Sequence, residues 1–214
     1  MSVQPFASVQ SVALDRRNML RLALLGGLAA SVGFTATARA ADAAAEPVQR
    51  LGTSLVQLSQ SAGRPFAQRF AQFAPVVDQT FDLQAILRTS VGPRWDTMSP
   101  AEQADLMRVF RQYTIASFVA NFDKPKGAFQ ITGERDTAGG QKVVDSTIGD
   151  TRLSYVLRQT GAGWQVVDVL ADGTISRVAT QRSDFHSTLA QGGGPALVAT
   201  LQRKVSDLSG GSLA

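Results

Sequence analysis

Apolar and polar residues alternate with a period of two over residues 151–159, as they do in a strand with one buried face. The residues predicted for that face are Leu153, Tyr155 and Leu157. Gly161-Ala162-Gly163 follows and predicts a tight turn, because glycine adopts positive φ at little cost. A second strand over 164–170 then runs back beside the first. An uninterrupted alternation places its residues on two faces: Trp164, Val166 and Leu170 on one, Val167 and Val169 on the other.

Two more strands are predicted before this hairpin, over 128–135 and 141–148, with glycine-containing turns between neighbours. Short strands joined by such turns favour an antiparallel meander of four to five strands. Apolar residues three or four positions apart predict helices over 48–61, 66–74, 83–90, 100–121, 175–189 and 196–208. The predicted fold class is therefore α+β, with a sheet covered on one face by helices from both chain ends.

Local residue chemistry predicts where these helices begin and end. Ser99-Pro100-Ala101-Glu102 is a capping box that starts the longest of the predicted helices, and Thr174 or Ser176 is expected to cap the helix after the sheet. Gln191-Gly192-Gly193-Gly194-Pro195 interrupts the helical pattern near the C-terminus. The alanine-rich residues 41–47 are expected to form a mobile linker, and residues 209–214 a flexible tail.

The N-terminal residues have the features of a signal peptide. Arg16, Arg17 and Arg21 precede an apolar stretch over 22–34, and Ala38-Arg39-Ala40 is a small-x-small cleavage site. We expect residues 1–40 to be removed between Ala40 and Ala41, leaving one domain over 41–208 in the periplasm. The paired arginines resemble a twin-arginine signal, and both that export route and the general secretory route stay open. A retained N-terminal anchor is the alternative.

Charge and cysteine content narrow the function classes. The formal net charge of +4 includes +3 from residues 1–40, which hold four arginines and one aspartate. The mature chain is left with +1, so the sequence pI of about 10.0 gives little support to nucleic-acid binding. The absence of cysteine excludes disulfides, thiolate catalysis, cysteine-ligated metals and a lipidated anchor.

Catalytic chemistry is poorly represented. The sequence has no G-x-S-x-G, P-loop, H-E-x-x-H or EF-hand motif. His186 is the single histidine, and a structural or exposed position is expected for it. Two acid pairs, Glu134 with Asp136 and Asp168 with Asp172, have the composition of a glycosidase site. Solvated hairpin ends and a structural hydrogen bond from Asp168 to a backbone amide are the expected roles, and no cofactor or metal is expected.

Two blocks of the sequence resemble a known family. Phe81–Trp95 (FDLQAILRTSVGPRW) is similar to the pattern F-D-x-x-x-[IM]-[AL]-R-x-x-[LV]-G-x-x-W. The second block contains Trp164, Asp168, Val169, Gly173, Ser176 and Arg182-Ser183-Asp184-Phe185. Both resemble MlaC-type proteins, periplasmic lipid-binding components also known as toluene-tolerance auxiliary proteins. The GTIS form at 173–176, without a tyrosine before the Arg-Ser pair, is closer to the hopanoid-associated HpnM branch.

The resemblance implies a lipid carrier. It implies a phospholipid or hopanoid ligand in an apolar cavity between sheet and helices. It also implies an inner-membrane transport complex of the ABC or RND type as a partner, together with an outer-membrane lipoprotein complex. Burial of a sixteen-carbon chain gains on the order of 10 kcal/mol at ~0.8 kcal/mol per CH₂, so no catalytic group is needed to hold it. The cavity candidates are Phe81, Leu87, Phe110, Tyr113, Ile115, Phe118, Phe129, Leu153, Tyr155 and Val166.

Other roles remain open at this stage. Arg94, Arg152 and Arg158 are candidate head-group or membrane-facing cations, with a solvated surface as the alternative for each. A ligand-free periplasmic adaptor is the second interpretation of the whole chain, and it requires a fully packed core. A periplasmic hydrolase that uses the acid pairs is the third.

Overall fold

The computed structural model describes the backbone of residues 35–124 and 126–213, and side chains from residue 43 onward within those ranges. Residues 1–34, which hold most of the predicted signal peptide, lie outside the described residues, whereas residues 35–40 belong to the first helix. The helices are α1 (Thr35–Gln60), α2 (Phe66–Thr80), α3 (Leu83–Val91), α4 (Pro100–Asn121) and α5 (Arg177–Ser209), with a 3-10 turn at Gly92–Thr97. No helix among the described residues is long and apolar enough to cross a membrane.

Five antiparallel strands form one sheet in the order of the chain. They are β1 (Phe129–Asp136), β2 (Lys142–Ile148), β3 (Thr151–Thr160), β4 (Gly163–Ala171) and β5 (Ile175–Ser176). The predicted meander and its α+β class are confirmed. The short strand β5 is an addition to the four strands located from the sequence, and it pairs with β4 before the chain enters α5.

Two helices extend beyond their predicted bounds. Residues 41–47, expected as a linker, are helical and belong to α1, and Pro47 lies inside that helix. The helix predicted to stop at residue 74 continues through Pro75 to Thr80. A proline inside a helix removes one hydrogen bond. Val77 lies beyond Pro75 and is fully buried, so packing against the core offsets the lost bond.

A β-bulge overturns part of the face assignment in β4. Leu157 pairs with Val166, but the preceding residue Val156 pairs with Asp168, which leaves Val167 as an extra residue. A bulge of one residue moves all later side chains to the opposite face. Val169 therefore packs against the core with Val166, whereas an unbroken alternation predicted Leu170 there.

The core lies between the sheet and the helices. It contains Tyr155 and Leu157 of β3, and Leu153 packs against it from the same face, as predicted from the alternation. α1 contacts β1, β2 and β4, and α5 contacts both α3 and α4. Ser99 and Glu102 form the predicted capping box at the start of α4, with the Ser99 backbone N–H donating to Glu102 over 2.8 Å. The hydrogen bonds from the Ser99 backbone and hydroxyl lower the pKa of Glu102.

Arg69 connects the C-terminal ends of two helices. Its side chain is 4% exposed, and its Nη2 donates to the carbonyl oxygens of Leu58 (3.3 Å) and Phe122 (2.6 Å). These carbonyls belong to the last turn of α1 and the end of α4, where helix carbonyls run out of partners within the helix. Leu58 O also accepts from the hydroxyl of Ser61 over 2.8 Å. Burial lowers the pKa of the Arg69 guanidinium, and the charge of Asp123 opposes that effect. The side chain stays protonated, because arginine is not deprotonated in proteins.

α5 is broken near its middle. Gly192 (φ −152°, ψ 18°) and Gly193 (φ 63°, ψ −156°) depart from helical geometry. The positive φ of Gly193 favours glycine. This break coincides with the interruption predicted at residues 191–195, and the two helical parts agree with those predicted on either side of it. Gly210 ends the helix in the left-handed conformation, and Gly211 N–H donates to Ser206 O over 2.9 Å. The mobility of the tail stays a prediction.

Candidate functional site

A cavity of about 250 Å³ lies between the helices and the sheet. Its walls come from α1, α3, α4, the start of α5, and strands β3 and β4. The residues that line it are Leu55, Phe81, Leu83, Ile86, Phe110, Tyr113, Thr114, Ser117, Phe118, Asn121, Phe122, Leu153, Tyr155, Asp168, Val169, Ala171, Arg177, Val178 and Gln181. Most of this lining is aliphatic or aromatic, which is the composition of a pocket for an apolar ligand.

Aromatic side chains form one side of the cavity. The ring of Phe118 lies 5.4 Å from that of Phe73 and 5.6 Å from that of Phe81, in tilted arrangements. Phe81 is held at the sheet because it bridges Val166 and because the next residue, Asp82, donates its backbone N–H to Val166 O over 3.0 Å. The end of α2 is therefore fixed to β4, and its phenylalanine points toward α4. This wall combines a rigid backbone with apolar rings.

Polar side chains concentrate on one rim of the cavity. Thr114, Ser117 and Asn121 of α4 recur at intervals of three and four residues, which places them on one helix face. Arg177 and Gln181 of α5 have the same spacing. Asn121 and Arg177 are exposed, whereas the other three are half-buried. The rim therefore offers hydrogen-bond donors beside an apolar interior, and Arg177 is the one cation among the described residues of the lining.

Asp168 organises the start of α5. Its Oδ1 accepts a hydrogen bond from Val178 N–H (3.1 Å), and its Oδ2 accepts one from the Ser176 hydroxyl (2.6 Å). Ser176 is the N-cap and accepts from Ala179 N–H over 2.9 Å. A carboxylate at a helix N-terminus satisfies free N–H groups and interacts favourably with the helix dipole. The structural hydrogen bond predicted from Asp168 to a backbone amide is confirmed.

Among the described side chains that are less than 2% exposed, that of Tyr155 is the largest. Burial raises the pKa of its hydroxyl, because the charged phenolate is poorly solvated there, and a hydrogen bond with the Ser146 side chain partly opposes the rise. The hydroxyl therefore stays neutral under physiological conditions. It contributes an uncharged polar group to a wall that is otherwise apolar.

The structure brings six of the ten predicted cavity residues together in the lining: Phe81, Phe110, Tyr113, Phe118, Leu153 and Tyr155. The other four lie elsewhere. Leu87, Ile115 and Val166 are fully buried within the core. Phe129 packs against Gly52 of α1, where an added Cβ would lie 2.0 Å from its ring. Sequence periodicity identifies the inward face of an element, but it does not distinguish a packed position from one beside a gap.

Several lining residues were not predicted. Leu83 and Ile86 belong to the helix predicted over 83–90 but were not among the cavity candidates. The sequence does contain a pattern that identifies Thr114, Ser117 and Asn121, because their spacing places them in a polar stripe beside the apolar face of α4. The strand β5, which was not predicted from the sequence, determines where α5 begins. Its position therefore determines that Arg177, Val178 and Gln181 reach the cavity.

The three candidate cations lie away from this rim. Arg158 pairs with Asp82 at 2.8 Å. Arg152 lies in a shallow polar groove with Asp145, Ser154 and Asp172. Arg94 is exposed on the 3-10 turn. None of the three lines the cavity.

The acid pairs form no catalytic arrangement. Glu134 and Asp136 both contact the Lys142 ammonium, at 2.8 and 3.0 Å, and the two carboxylates raise the pKa of Lys142. The carboxylate of Asp168 is hydrogen-bonded at the start of α5. His186 is exposed. Among the described residues, no group of three or more metal-ligating side chains could hold a metal ion.

Comparisons with known proteins agree with this geometry. The family model described as MlaC protein matches residues 47–203. The fold is similar to that of the phospholipid-binding protein from Ralstonia solanacearum, solved in complex with a phospholipid, with a TM-score of 0.66 and 20% sequence identity. The match covers 79% of this chain and 98% of that protein. No curated protein has significant sequence similarity to the chain.

The family match extends over most of the described domain and includes both sequence blocks that resemble MlaC-type proteins. Proteins of this family are periplasmic and bind lipid without catalysis. The chain belongs to the MlaC family of lipid-binding proteins.

Proposed function

We propose that this protein carries a phospholipid between the inner and outer membranes and holds its acyl chains in the cavity between sheet and helices. The single observation that carries this proposal is an apolar cavity with a polar rim on one side. An acyl chain gains about 0.8 kcal/mol per CH₂ removed from water. A head group needs only hydrogen-bond donors and access to solvent. The cavity provides both environments.

The rim has the chemistry to hold a phosphate. Arg177 supplies a guanidinium that matches phosphate oxygens. Ser117 contributes a second polar group to the lining, whereas the Thr114 hydroxyl donates to Phe110 O over 2.9 Å. The phospholipid bound by the structurally similar Ralstonia protein is consistent with this assignment. A hopanoid, which the GTIS sequence at 173–176 suggests, has fused rings in place of flexible chains and has no phosphate.

The family resemblance supports the remaining parts of the proposal. The mature protein begins at Ala41 after removal of residues 1–40 and works in the periplasm. It receives or delivers lipid at an inner-membrane transport complex of the ABC or RND type, and it exchanges lipid with an outer-membrane lipoprotein complex. The cavity argues against a ligand-free adaptor, because such a protein has no reason to keep an apolar gap open at a cost in packing energy.

A transfer assay tests the proposal. The mature protein is incubated with donor vesicles that contain labelled phospholipid, separated from them, and then added to unlabelled acceptor vesicles. We expect phospholipid to remain with the protein after separation and to appear in the acceptors. The Arg177→Gln variant should bind less phospholipid, whereas Arg94→Gln should behave as wild type. A protein fraction free of lipid after incubation would contradict the carrier function.

A further inference from the structure

The cavity is too small for the ligand proposed above, and this inference rests on that function. An engineered protein cavity of about 150 Å³ holds benzene, with six carbon atoms. By that measure the cavity of about 250 Å³ holds on the order of ten carbons. One sixteen-carbon chain exceeds this space, and the two chains of a phospholipid exceed it severalfold. One wall therefore has to move when lipid enters.

Among the helices that form walls of the cavity, the N-terminal half of α5 has the smallest share of buried residues. We call residues 177–191 the lid segment. It buries three side chains, Val178, Phe185 and Leu189, whereas α4 buries six over its length. Val178 and the adjacent Arg177 and Gln181 line the cavity, so displacement of the lid segment enlarges it directly. The second half of α5 stays anchored by Leu197, Leu201 and Val205, which are buried.

Backbone geometry provides a hinge at the end of the lid segment. Gly192 and Gly193 are non-helical, so the hydrogen bonding of α5 is interrupted at this point. Small residues at an element boundary can absorb large changes of φ and ψ. Gly194 is buried near Met98 and Glu102, where an added Cβ would lie 3.5 Å from Met98 Cε. The chain is therefore held just after the hinge, and rotation is confined to the lid segment.

Hydrogen bonds hold the other end of the lid segment in place. Asp168 of β4 accepts from Ser176 (2.6 Å) and Val178 (3.1 Å). Farther along, the Ser90 hydroxyl donates to Gln181 Oε1 over 3.3 Å. Asp168 and Gln181 are half-buried at the cavity, where water can replace these contacts when the segment moves. The buried Ser90 hydroxyl keeps its hydrogen bond to Ile86 O over 2.8 Å. The net contribution of the replaced hydrogen bonds is small compared with the gain from burying an acyl chain.

We propose that the lid segment rotates about Gly192 and Gly193 together with the two-residue strand β5 that precedes it, breaks the Asp168 hydrogen bonds and the pairing of β5 with β4, and opens the cavity to both acyl chains of a phospholipid. A lid segment of this length is about 22 Å long at 1.5 Å per residue, so a rotation of about 20° moves its N-terminal end by about 8 Å. The side chain of Phe185, which packs edge-on against Phe110 at 6.3 Å, lies nearer the hinge and moves about half as far.

Distance measurements between spin labels test this motion, and the cysteine-free sequence allows labels at chosen sites. The lid pair carries labels at the exposed positions Ser183 and Gln68, both replaced by cysteine. The control pair carries labels at Gln202 and Gln68, which joins the anchored half of α5 to the same reference position. Each pair is measured after delipidation and after loading from phosphatidylglycerol vesicles, with bound phospholipid quantified. We expect the lid pair to change by several ångströms and the control pair to stay constant.

Each outcome decides the matter. Bound phospholipid with an unchanged lid pair overturns the lid and leaves the carrier function intact. Absence of bound phospholipid overturns the carrier function and the lid with it. A second measurement addresses the hydrogen bonds: Asp168→Asn should bind phospholipid about threefold to tenfold more tightly, since loss of a helix cap destabilises the closed, lipid-free state and not the open, loaded state. Asp172→Asn, which alters a neighbouring acid whose side chain is not hydrogen-bonded to α5 among the described residues, should bind phospholipid with the wild-type affinity.

Discussion

The ring of Phe129 lies directly against the backbone of Gly52, where an added Cβ would come within 2.0 Å of the ring. This contact joins the middle of α1 to the first strand of the sheet. It explains the presence of glycine inside a helix, where glycine costs roughly 1 kcal/mol relative to alanine. It also explains why Phe129 packs against the core and does not line the cavity.

Replacement of Gly52 by alanine should therefore destabilise the protein in spite of the higher helix propensity of alanine. We expect the free energy of unfolding to fall by about 1–3 kcal/mol, the usual cost of overpacking. Denaturant unfolding of the purified protein measures the change. Gly63→Ala is the control, because an added Cβ there meets no atom within 4 Å. Equal stability of the two variants would show that α1 and β1 are not in close contact.

Arg69→Met should destabilise the protein because the Phe122 carbonyl loses its side-chain donor and the Leu58 carbonyl, which also accepts from Ser61, loses one of its donors. The side chain is buried and bonded to Leu58 and Phe122, and an unsatisfied buried polar group costs about 1–3 kcal/mol. Arg64→Met, at an exposed position on the same connection, should change stability little. Thermal unfolding of both variants gives the comparison, and similar melting temperatures would refute the role assigned to Arg69.

Leu153→Trp should reduce lipid binding, because the larger side chain fills the cavity from the sheet side. Leu153 is half-buried, so we expect the melting temperature to stay within a few degrees of wild type. The matched control is Gln159→Trp, which adds the same side chain at an exposed position on the same strand. Bound phospholipid per protein is the measurement. Unchanged binding in Leu153→Trp would remove Leu153 from the lipid site.

Tyr155 should make stability fall at alkaline pH. Burial raises the pKa of its hydroxyl above the unfolded value of about 10, so its contribution is complete below about pH 10 and is lost as the pH rises further. Above about pH 10 the free energy of unfolding of the wild-type protein should fall by about 1.4 kcal/mol per pH unit relative to that of Tyr155→Phe. Free energies of unfolding measured for both proteins from neutral to alkaline pH provide the test. A constant difference between them would contradict burial of this hydroxyl.

The sequence predicted most elements of the fold because their patterns are local. The alternation in β3, the capping box at Ser99 and the glycine-rich break in α5 each depend on neighbouring residues. The continuation of α2 through Pro75 was missed because it depends on contacts of Val77 with the core. The bulge at Val167 was missed because it exists only in the pairing of β4 with β3.

Only part of the candidate site was predicted, because only part of it follows from local sequence patterns. Helix and strand periodicity identified inward-facing residues such as Phe118 and Leu153, both of which reach the cavity. Leu87 and Ile115 satisfy the same pattern and are packed in the core. Whether an inward residue contacts a gap depends on how far the helices stand from the sheet. That separation is a property of the whole assembly and has no local sequence pattern.

Native mass spectrometry, combined with organic extraction of the protein purified from its own periplasm, tests the central claim most directly. The account predicts a mature chain beginning at Ala41 that carries a stoichiometric phospholipid, identified in the extract. A hopanoid in its place would keep the carrier function and change the ligand. A chain without bound lipid, both as purified and after incubation with phospholipid vesicles, would contradict the account.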